Sequence, residues 1–410
     1  MHILFLTDNF SPESNAPASR TFDHCREWVR AGHDVTVITC APNFPKGKVF
    51  AGYQNHLWQQ EVIEGIRVIR VWSYITANEG FAKRILDYQS FMLSATLAAP
   101  FVRGVDVVVG TSPQFFTACS AYLVSRMKRI PFVFELRDMW PESIKAVGAM
   151  KADSLAYRWL ERLEMFLYRK ASQIVTVTHA FRNTLMRRGI DGTKIDVVTN
   201  GVDLSHFAPQ SKDAELVQRL ALQDMFVAGY IGTHGMAHAL ETLLEAAETL
   251  QQMPGADKVR LVFLGDGARK LDIVAKSEAM GLRNVLFLES VPKHEVVRYW
   301  SVLDVAVIHL RKNELFTTVI PSKLFECMGM GIPVLHGVAG ESAEIVNREQ
   351  VGEVFEPENA QQLVAGLLRM RDRPAAYSSF KQNGLAASRR YDRKHLAKQM
   401  LQVLTNLVKK

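Results

Sequence analysis

Residues 321–334 read PSKLFECMGMGIPV and follow an apolar run at 304–310 that predicts a buried strand. Pro321 and Ser322 are residue types that favour the start of a helix. The two glycines predict the end of that helix, and residues 332–335 predict the next strand. A strand, a helix and a second strand in this order predict a parallel α/β sheet.

Lys323 and Glu326 lie three residues apart, so they share one face of the first helical turn. The exposed N–H groups of a helix start suit phosphate oxygens, and a lysine adds positive charge. A carboxylate one turn later can accept hydrogen bonds from a ribose diol. We therefore hypothesise that this helix start, with Ser322 and Leu324, binds a nucleotide diphosphate. An amphipathic helix with a surface Lys–Glu pair is the competing interpretation.

The length of 410 residues predicts about two domains, because it is too great for one ordinary core. Hydrophobic content of 48% and charged content of 22% are typical of a globular protein. The net charge of +7 is uneven: residues 1–200 hold 24 Lys and Arg against 18 Asp and Glu, and residues 201–410 hold 25 against 24. The basic first half favours an anionic partner such as a phosphate, lipid surface or nucleic acid, although a small excess also serves solubility.

The cysteines and the N-terminus indicate the compartment. The four cysteines have no C-x-x-C spacing, which predicts a reducing environment and no zinc site. Residues 1–6 predict a strand rather than a signal peptide, and the longest charge-free stretch, 88–102, is too short to span a bilayer. We expect a cytoplasmic protein.

Strands and helices alternate along both halves. A strand at Ile3–Thr7, a helix at 20–31 and a strand at 34–39 form a βαβ pattern, whose first loop lacks G-x-G-x-x-G. The pattern restarts after Asn200-Gly201-Val202-Asp203.

We therefore predict an α/β fold with two doubly wound, Rossmann-like domains that face each other across a cleft. Their predicted bounds are 1–200 and 201–390, with a helix at 391–410 packed back on the first domain. Ligands of such sheets bind at the carboxyl ends of the strands.

Loops after predicted strands of the second half carry residues that suit a diphosphate. They are Gly232, Thr233, His234 and Gly235 after one strand, and Gly265 and Gly267 after the next. Glycine lets backbone N–H groups approach a phosphate closely. Each loop alone is a weak signal, but together with Ser290 and the helix at Pro321 they could converge on one ligand.

In the first half, Arg137 and Asp138 end an apolar strand. Asp138 could orient or activate an acceptor hydroxyl, and Arg137 could neutralise a leaving phosphate. An Arg–Asp pair that fixes a loop is the alternative.

The helix predicted at Ala82–Val102 has apolar residues flanked by Lys83, Arg84 and Arg103. One interpretation is a helix that dips into a membrane surface. We favour a helix that covers the sheet.

The sequence resembles GT-B glycosyltransferases of glycosyltransferase family 4 over nearly its whole length. The residues that carry the resemblance are Gly32–Val37, Asn200–Asp203, Gly265–Gly267, Asn284, Val285, Val291 and Pro321–Pro333. The resemblance implies that Glu326 binds the nucleotide ribose, that Gly232 lies by the diphosphate, and that Ser290 and Val291 lie near the base.

Three positions depart from the family pattern. Thr318 replaces an acidic residue, Thr233 an arginine and His238 a lysine. Two phosphate-binding cations are thereby missing. We expect Lys323, His238 and the backbone of the 232–235 loop to bind the phosphates instead.

The loop at 15–20, the segment at 137–141 and the Pro-Ser-Lys variant at 321–323 resemble a bacterial subgroup that includes N-acetyl-L-fucosamine transferases of O-antigen and capsule clusters. This resemblance implies a retaining, metal-independent enzyme with no cofactor. It implies a UDP-activated amino sugar as donor and a polyprenyl-diphosphate-linked saccharide as acceptor. It also implies no nucleic acid, and a cytoplasmic location with the inner-membrane surface as a candidate partner.

Two other functions stay open on the same architecture. A UDP-sugar epimerase would interconvert free UDP-sugars without an acceptor. A non-catalytic sugar-nucleotide-binding partner would fit the departures at Thr233, His238 and Thr318.

Overall fold

The computed structural model describes the residues 1–13, 15–44, 46–76, 81–143 and 154–409. The chain divides into two compact units. Unit one comprises residues 1–200 and 393–410, and unit two comprises residues 201–392.

The strands lie at regular intervals along both units. They are β1 (His2–Leu6), β2 (Asp34–Cys40), β3 (Trp58–Ile63), β4 (Ile66–Val71), β5 (Val107–Thr111), β6 (Phe132–Leu136), β7 (Gln173–Thr176), β8 (Ile195–Val197), β9 (Phe226–Ile231), β10 (Val259–Leu264), β11 (Val285–Leu288), β12 (Val305–His309), β13 (Val334–Gly337) and β14 (Gly352–Val354).

Helices connect most of these strands. They are α1 (Ala16–Arg30), α2 (Phe81–Ala98), α3 (Phe115–Lys128), α4 (Leu155–Lys170), α5 (His179–Arg187), α6 (Ala214–Arg219), α7 (Glu241–Gln252), α8 (Lys270–Ala279), α9 (Val296–Ser301), α10 (Lys323–Met330), α11 (Glu341–Glu349), α12 (Ala360–Asp372), α13 (Pro374–Ser388) and α14 (Arg393–Val408). Short 3₁₀ turns lie at Ala99–Phe101, Gly192–Lys194, Met236–His238, Leu315–Thr318 and Arg389–Tyr391.

Over its described residues, unit one has an eight-stranded sheet in the order β3-β4-β2-β1-β5-β6-β7-β8. All neighbours pair in parallel except β3, which pairs antiparallel with β4 at the edge. Helices α1 and α14 cover one face, where the Trp28 indole donates to the Ala397 carbonyl at 2.8 Å. Helices α2, α3 and α4 cover the other face.

Unit two has a six-stranded, wholly parallel sheet in the order β11-β10-β9-β12-β13-β14, counted over the residues described. Apolar side chains of α7 and α12 pack on one face, and those of α10 pack on the other. The prediction of two doubly wound α/β domains is confirmed. Since all six strands are parallel, the loops at 232–235, 265–267 and 290–291 leave the same edge of the sheet.

The stretch at 321–334 differs in two details from the prediction. The strand after the helix is β13, at Val334–Gly337 rather than at 332–335, and the end of the helix also differs. Helix α10 continues through Gly329 and ends at Gly331, which has φ +67. Gly329 was wrongly expected to help end the helix. A Cβ atom on Gly329 would lie 2.8 Å from the Phe207 carbonyl oxygen, so glycine allows close packing there.

Two other elements differ from the sequence predictions. Helix α1 begins at Ala16 rather than near residue 20, because the Asn15 side chain caps it by accepting the Ala18 N–H at 2.8 Å. Strand β3 was not predicted. Among the described residues, no helix is long and apolar enough to cross a membrane.

Candidate functional site

The start of α10 holds Lys323 against an aromatic ring. Its ammonium nitrogen lies 3.7 Å from the centre of the Tyr230 ring on β9, a favourable cation–π contact. Burial lowers the pKa of Lys323 to about 7, and the nearby Glu326 and Cys327 only partly offset that effect. A bound anion would restore the charge of this lysine, because an opposite charge favours the ionised form.

Gly232 makes room for the lysine. A Cβ atom on Gly232 would lie 2.6 Å from Cε and 2.7 Å from Nζ of Lys323, closer than real side chains approach. Gly232 has φ +137, a conformation that L side chains rarely adopt. The structure therefore brings the first glycine of the 232–235 loop and the helix lysine into direct contact.

The two glycine loops pack backbone against backbone. A Cβ atom on Gly265 would lie 1.9 Å from the Gly232 carbonyl oxygen, and one on Gly267 would lie 2.6 Å from the His234 oxygen. The His234 N–H donates to the Asp266 carbonyl at 2.9 Å. These close approaches explain why glycine occupies both positions, and they fix the 232–235 loop next to Lys323.

His234 and His238 are uncharged at neutral pH. Burial, followed by the charges of Lys270 and Lys323, lowers the pKa of His234 to about 4. Burial, followed by Lys323, lowers the pKa of His238 to about 3. Within the part of the chain that the structure describes, both ring nitrogens of His234 and Nδ1 of His238 lack a hydrogen-bond partner. In the ligand-free protein, His238 therefore offers a hydrogen-bonding atom rather than a positive charge.

The other residues of the 232–235 loop contribute through the backbone. Thr233 is exposed, and its carbonyl oxygen accepts the Tyr230 hydroxyl at 2.7 Å. The Gly235 carbonyl accepts the His238 N–H at 3.1 Å and starts the short turn that follows. These bonds shape the loop, which Lys323 contacts at Gly232.

The remaining candidates on α10 have different environments. Ser322 is the N-cap residue, and its side chain makes no capping hydrogen bond. The Leu324 side chain is fully buried in the core, and its N–H donates to the Pro321 carbonyl at 3.1 Å. Leu324 can therefore face a ligand only with its backbone. Glu326 lies in the first turn, half-buried, near enough to Lys323 to affect its pKa.

Ser290 and Val291 lie just beyond β11, at the edge of the unit-two sheet. Ser290 is exposed, whereas Val291 is half-buried and packs against the core beside α10. Strand β10 separates β11 from β9, so the ends of β11 and β9 are about 10 Å apart at ordinary strand spacing. These two residues therefore lie apart from the Gly232–Lys323 contact, along the same sheet edge.

In unit one, Arg137 supports the start of α1. Its guanidinium donates to the carbonyls of Ala16 and Pro17, both at 3.1 Å. Burial lowers the pKa of Arg137 to about 10, against the effect of Glu135, so the group stays charged at neutral pH. These bonds run to the start of α1 rather than to the neighbouring Asp138.

Asp138 has a different environment. Its backbone N–H donates to the Ser112 hydroxyl at 3.1 Å. Burial raises the pKa of Asp138, and hydrogen bonds from Ser143 and Met139 offset only part of that rise. A carboxylate with a raised pKa is a better proton acceptor than an ordinary one.

Comparison with known proteins assigns each half of the chain to a domain family. Residues 15–201 match the glycosyl transferase 4-like domain, and residues 225–373 match the glycosyl transferases group 1 domain. The chain is a glycosyltransferase. Both of its units carry glycosyltransferase domains of the GT-B architecture.

The relatives of this glycosyltransferase differ in their named activities. It is 26% identical, over 390 residues, to the Escherichia coli protein assigned as colanic acid biosynthesis glycosyl transferase WcaI, covering 90% of this chain and 91% of that one. It is 23% identical to a GDP-mannose-dependent alpha-mannosyltransferase of Mycobacterium tuberculosis, over 86% of this chain and 83% of that one. The structure of Anabaena HepE with UDP and glucose has a TM-score of 0.72 and 19% identity, over 98% of this chain and 99% of that one, and shows the shared fold.

The structure of the glycosyltransferase shows two features that the sequence analysis missed. One is Tyr230, whose ring supports Lys323. The other is Lys270, whose ammonium pairs with Glu289 at 2.8 Å and adds positive charge near His234. Tyr230 lies near the end of β9, two residues before Gly232, so it could have been suspected from the glycine loop.

Thr318 stands where the family pattern has an acidic residue. Its hydroxyl donates to the Leu315 carbonyl at 2.6 Å and closes a short 3₁₀ turn. The residue thus has a local structural role. No group of three or more His, Cys, Asp or Glu side chains in the described residues is arranged to hold a metal ion.

Proposed function

We propose that this glycosyltransferase moves an N-acetylated amino sugar, such as N-acetyl-L-fucosamine, from a UDP-sugar to a polyprenyl-diphosphate-linked saccharide. Transfer retains the anomeric configuration and serves O-antigen or capsule biosynthesis. The observation that carries the donor part is the contact between Lys323 and the Gly232 loop at the start of α10. The UDP and glucose bound in HepE and the colanic acid assignment of WcaI support the donor class and the pathway type.

The donor lies along the edge of the unit-two sheet in this proposal. Its diphosphate meets Lys323 and the backbone of the 232–235 loop, and its ribose meets Glu326 one helical turn later. The base lies toward Ser290 and Val291, about 10 Å along the sheet edge.

The chemistry is electrostatic stabilisation of the departing diphosphate. As the bond between the sugar and the diphosphate breaks, negative charge builds on the phosphate oxygens. Lys323, the loop N–H groups and the positive end of α10 are fixed in advance to meet that charge. The protein needs neither a metal ion nor a cofactor for this step.

The acceptor hydroxyl loses its proton to a base in unit one. Asp138 fills that role in our proposal, because its raised pKa suits proton acceptance. Arg137 holds the adjoining loop through Ala16 and Pro17 and so positions the acceptor surface. The lipid-linked acceptor places the enzyme at the cytoplasmic face of the inner membrane.

A transfer assay tests this function. The purified enzyme is incubated with a panel of UDP- and GDP-sugars and a short polyprenyl-diphosphate saccharide, and products are identified by mass spectrometry. We expect transfer from a UDP-activated amino sugar with no added metal. Transfer only from GDP-sugars would contradict the donor proposal, and interconversion of free UDP-sugars without acceptor would indicate an epimerase.

Two carboxylate variants give the assay a matched control. Glu326→Ala should lower kcat/KM for the donor by about a hundredfold or more, since a carboxylate that accepts two hydrogen bonds is lost. Glu344→Ala removes an exposed carboxylate in the first turn of α11 and should behave as the wild type. Equal activity of the two variants would reject the ribose-binding role of Glu326.

A further inference from the structure

A cavity of about 400 Å³ lies at the carboxyl ends of three strands of the unit-two sheet. Its lining comes from the 311–317 loop after β12, from residues 338–339 after β13 and from residues 356–357 after β14. Ligands of parallel sheets bind at this end of the strands, and the volume is typical of a small-molecule site. The contacts described above for Lys323 and the glycine loops do not involve this cavity.

The cavity begins one strand beyond the proposed position of the diphosphate. The proposed donor runs from β11 toward β9, and β12 and β13 follow β9 in the sheet, about 5 and 10 Å farther along the edge. The Arg311 N–H donates to the Ala237 carbonyl at 2.8 Å, and Nδ1 of His309 lies 2.8 Å from the His238 carbonyl oxygen. These contacts join the cavity to the turn that follows the 232–235 loop. A sugar bonded to a diphosphate at that loop can therefore reach the cavity.

The walls of the cavity are held in place by the protein itself. The Thr317 hydroxyl donates to the Glu314 carbonyl at 2.7 Å, and Asn313 Oδ1 accepts the Leu315 N–H at 2.9 Å. A Cβ atom on Gly340 would lie 2.0 Å from the Thr317 carbonyl oxygen, so the loops after β12 and β13 pack backbone against backbone. A cavity fixed in this way needs little ordering when a ligand binds.

Two charged side chains of the cavity are free to meet a ligand. Lys312 already pairs with Glu356 at 2.6 Å. The side chains of Arg311 and Glu314, in contrast, form no hydrogen bond or ion pair with the residues that the structure describes. Phe316 adds apolar surface. The cavity thus offers a hydrogen-bond donor, a hydrogen-bond acceptor and an apolar wall.

We infer that this cavity receives the sugar of the donor and recognises its acetamido group through Arg311 and Glu314. An acetamido group has a carbonyl oxygen, an N–H and a methyl group, which match Arg311, Glu314 and the apolar wall in turn. A sugar with a hydroxyl at the same carbon would leave the apolar wall uncovered, and a uronic acid would bring a second carboxylate toward Glu314. The inference rests on the proposed function, because it takes the donor diphosphate to be bound at Lys323.

Binding calorimetry with matched nucleotide sugars tests this specificity without any need for turnover. The full-length enzyme is titrated with UDP and with two pairs that differ only at C2 of the sugar. The pairs are UDP-glucose with UDP-N-acetylglucosamine, and UDP-galactose with UDP-N-acetylgalactosamine. We expect the N-acetylated member of at least one pair to bind about tenfold or more tightly than its partner, since it gains hydrogen bonds to two charged groups.

Variants of the two charged residues assign the preference to the cavity. Arg311→Ala and Glu314→Ala should each weaken binding of the N-acetylated donor by about tenfold or more and leave the affinity for UDP unchanged. Glu314→Gln should keep part of the preference, because its amide oxygen can still accept an N–H. Arg283→Ala and Glu278→Ala are the matched controls, since both side chains are exposed in unit two outside the cavity and should bind as the wild type does. Thermal melting of each variant shows that it is folded.

The outcomes separate this inference from the proposed function. UDP binding with no preference in either pair, or variants that weaken both members of a pair equally, would overturn the inference alone. Tighter binding of UDP-glucuronic acid than of either N-acetylated donor would also overturn it and assign Arg311 to a carboxylate. No binding of UDP or of any UDP-sugar would contradict the proposed function, and with it the role of the cavity in donor binding.

Discussion

The ammonium nitrogen of Lys323 lies 3.7 Å from the centre of the Tyr230 ring. Its pKa is lowered to about 7 because the amine is buried, and Glu326 restores only part of the difference. An incoming diphosphate would have to be met by a protonated lysine. Donor binding should therefore take up a proton above pH 7.

This coupling predicts a pH dependence of donor affinity. The lysine is charged below pH 7, so affinity should be constant there and fall by up to about tenfold per unit as the pH rises above 7. Titration calorimetry with a nucleotide sugar between pH 6 and 9 measures this effect. Lys323→Arg should flatten the profile, because arginine stays charged throughout. A wild-type affinity that does not change with pH would contradict the account.

The two glycine loops predict different effects for two alanine substitutions. Gly265→Ala would place its Cβ atom 1.9 Å from the Gly232 backbone oxygen, so the backbone must shift. Gly232→Ala would meet only the flexible end of Lys323, at 2.6 Å, but its φ of +137 strains any L side chain. We expect Gly265→Ala to lose about 3 kcal/mol or more of stability, and Gly232→Ala to lose about 1–3 kcal/mol of stability together with donor affinity.

Gly255→Ala is the control for backbone strain. Gly255 also has positive φ, +79, but nothing lies within 4 Å of an added Cβ atom. It should lose only about 1 kcal/mol, as measured by urea unfolding. If Gly265→Ala is no less stable than Gly255→Ala, the loops do not pack as the structure shows.

The burial of Glu13 makes the stability of the folded protein depend on pH. Its Oε1 accepts the N–H groups of Asn43 and Phe44 at 2.7 and 2.9 Å, and burial raises its pKa to about 7. The folded protein thus holds this proton to higher pH than the unfolded chain. The stabilisation of the folded state by this bound proton is complete below about pH 4.5 and is lost as the pH rises through 7.

Glu13→Gln should therefore stabilise the protein at pH 8 by about 2–3 kcal/mol and change little near pH 4.5. The neutral amide oxygen can keep both backbone hydrogen bonds. Thermal melting at the two pH values measures the difference, with Glu64→Gln, an exposed glutamate, as the control. A variant that is destabilised at pH 8 would show that the ionised carboxylate is needed.

A buried ion pair anchors the end of the last strand of unit one. Arg20 donates to Glu135 at 3.0 Å and to the carbonyls of Val198 and Thr199 at 2.9 and 2.6 Å. Arg20→Ala leaves Glu135 charged and buried without its partner. We expect a loss of about 3–5 kcal/mol in unfolding free energy, measured by urea denaturation.

Arg30→Ala is the matched control on the same helix. Arg30 pairs with Glu27 at 2.8 Å, but its side chain is about half exposed. An exposed pair contributes only about 0–1 kcal/mol, so this variant should be nearly as stable as the wild type. Similar losses for both variants would mean that the Arg20 pair has no special role.

The sequence predicted the strands of unit two well because they are short apolar runs between polar loops. Val259–Leu264, Val285–Leu288 and Val305–His309 are strands of this kind. Strand β3 escaped prediction because Trp58 and Val62 are exposed on an edge strand. Its pattern therefore lacks the buried positions by which a strand is recognised.

The site could be predicted in part for a similar reason. The glycine loops and the Lys–Glu spacing are local patterns, so the sequence alone indicates them. The Tyr230–Lys323 contact joins residues on different elements, and only packing reveals it. The neutral state of His238 also depends on burial, which a residue's position in the sequence does not specify.

The central claim is that α10 binds the donor through Lys323 and Glu326. A crystal structure of the enzyme with UDP tests it most directly. We predict a diphosphate oxygen about 3 Å from Lys323 Nζ and both ribose hydroxyls about 2.7 Å from the Glu326 carboxylate. A UDP bound with its ribose away from Glu326, or away from the start of α10, would contradict the account.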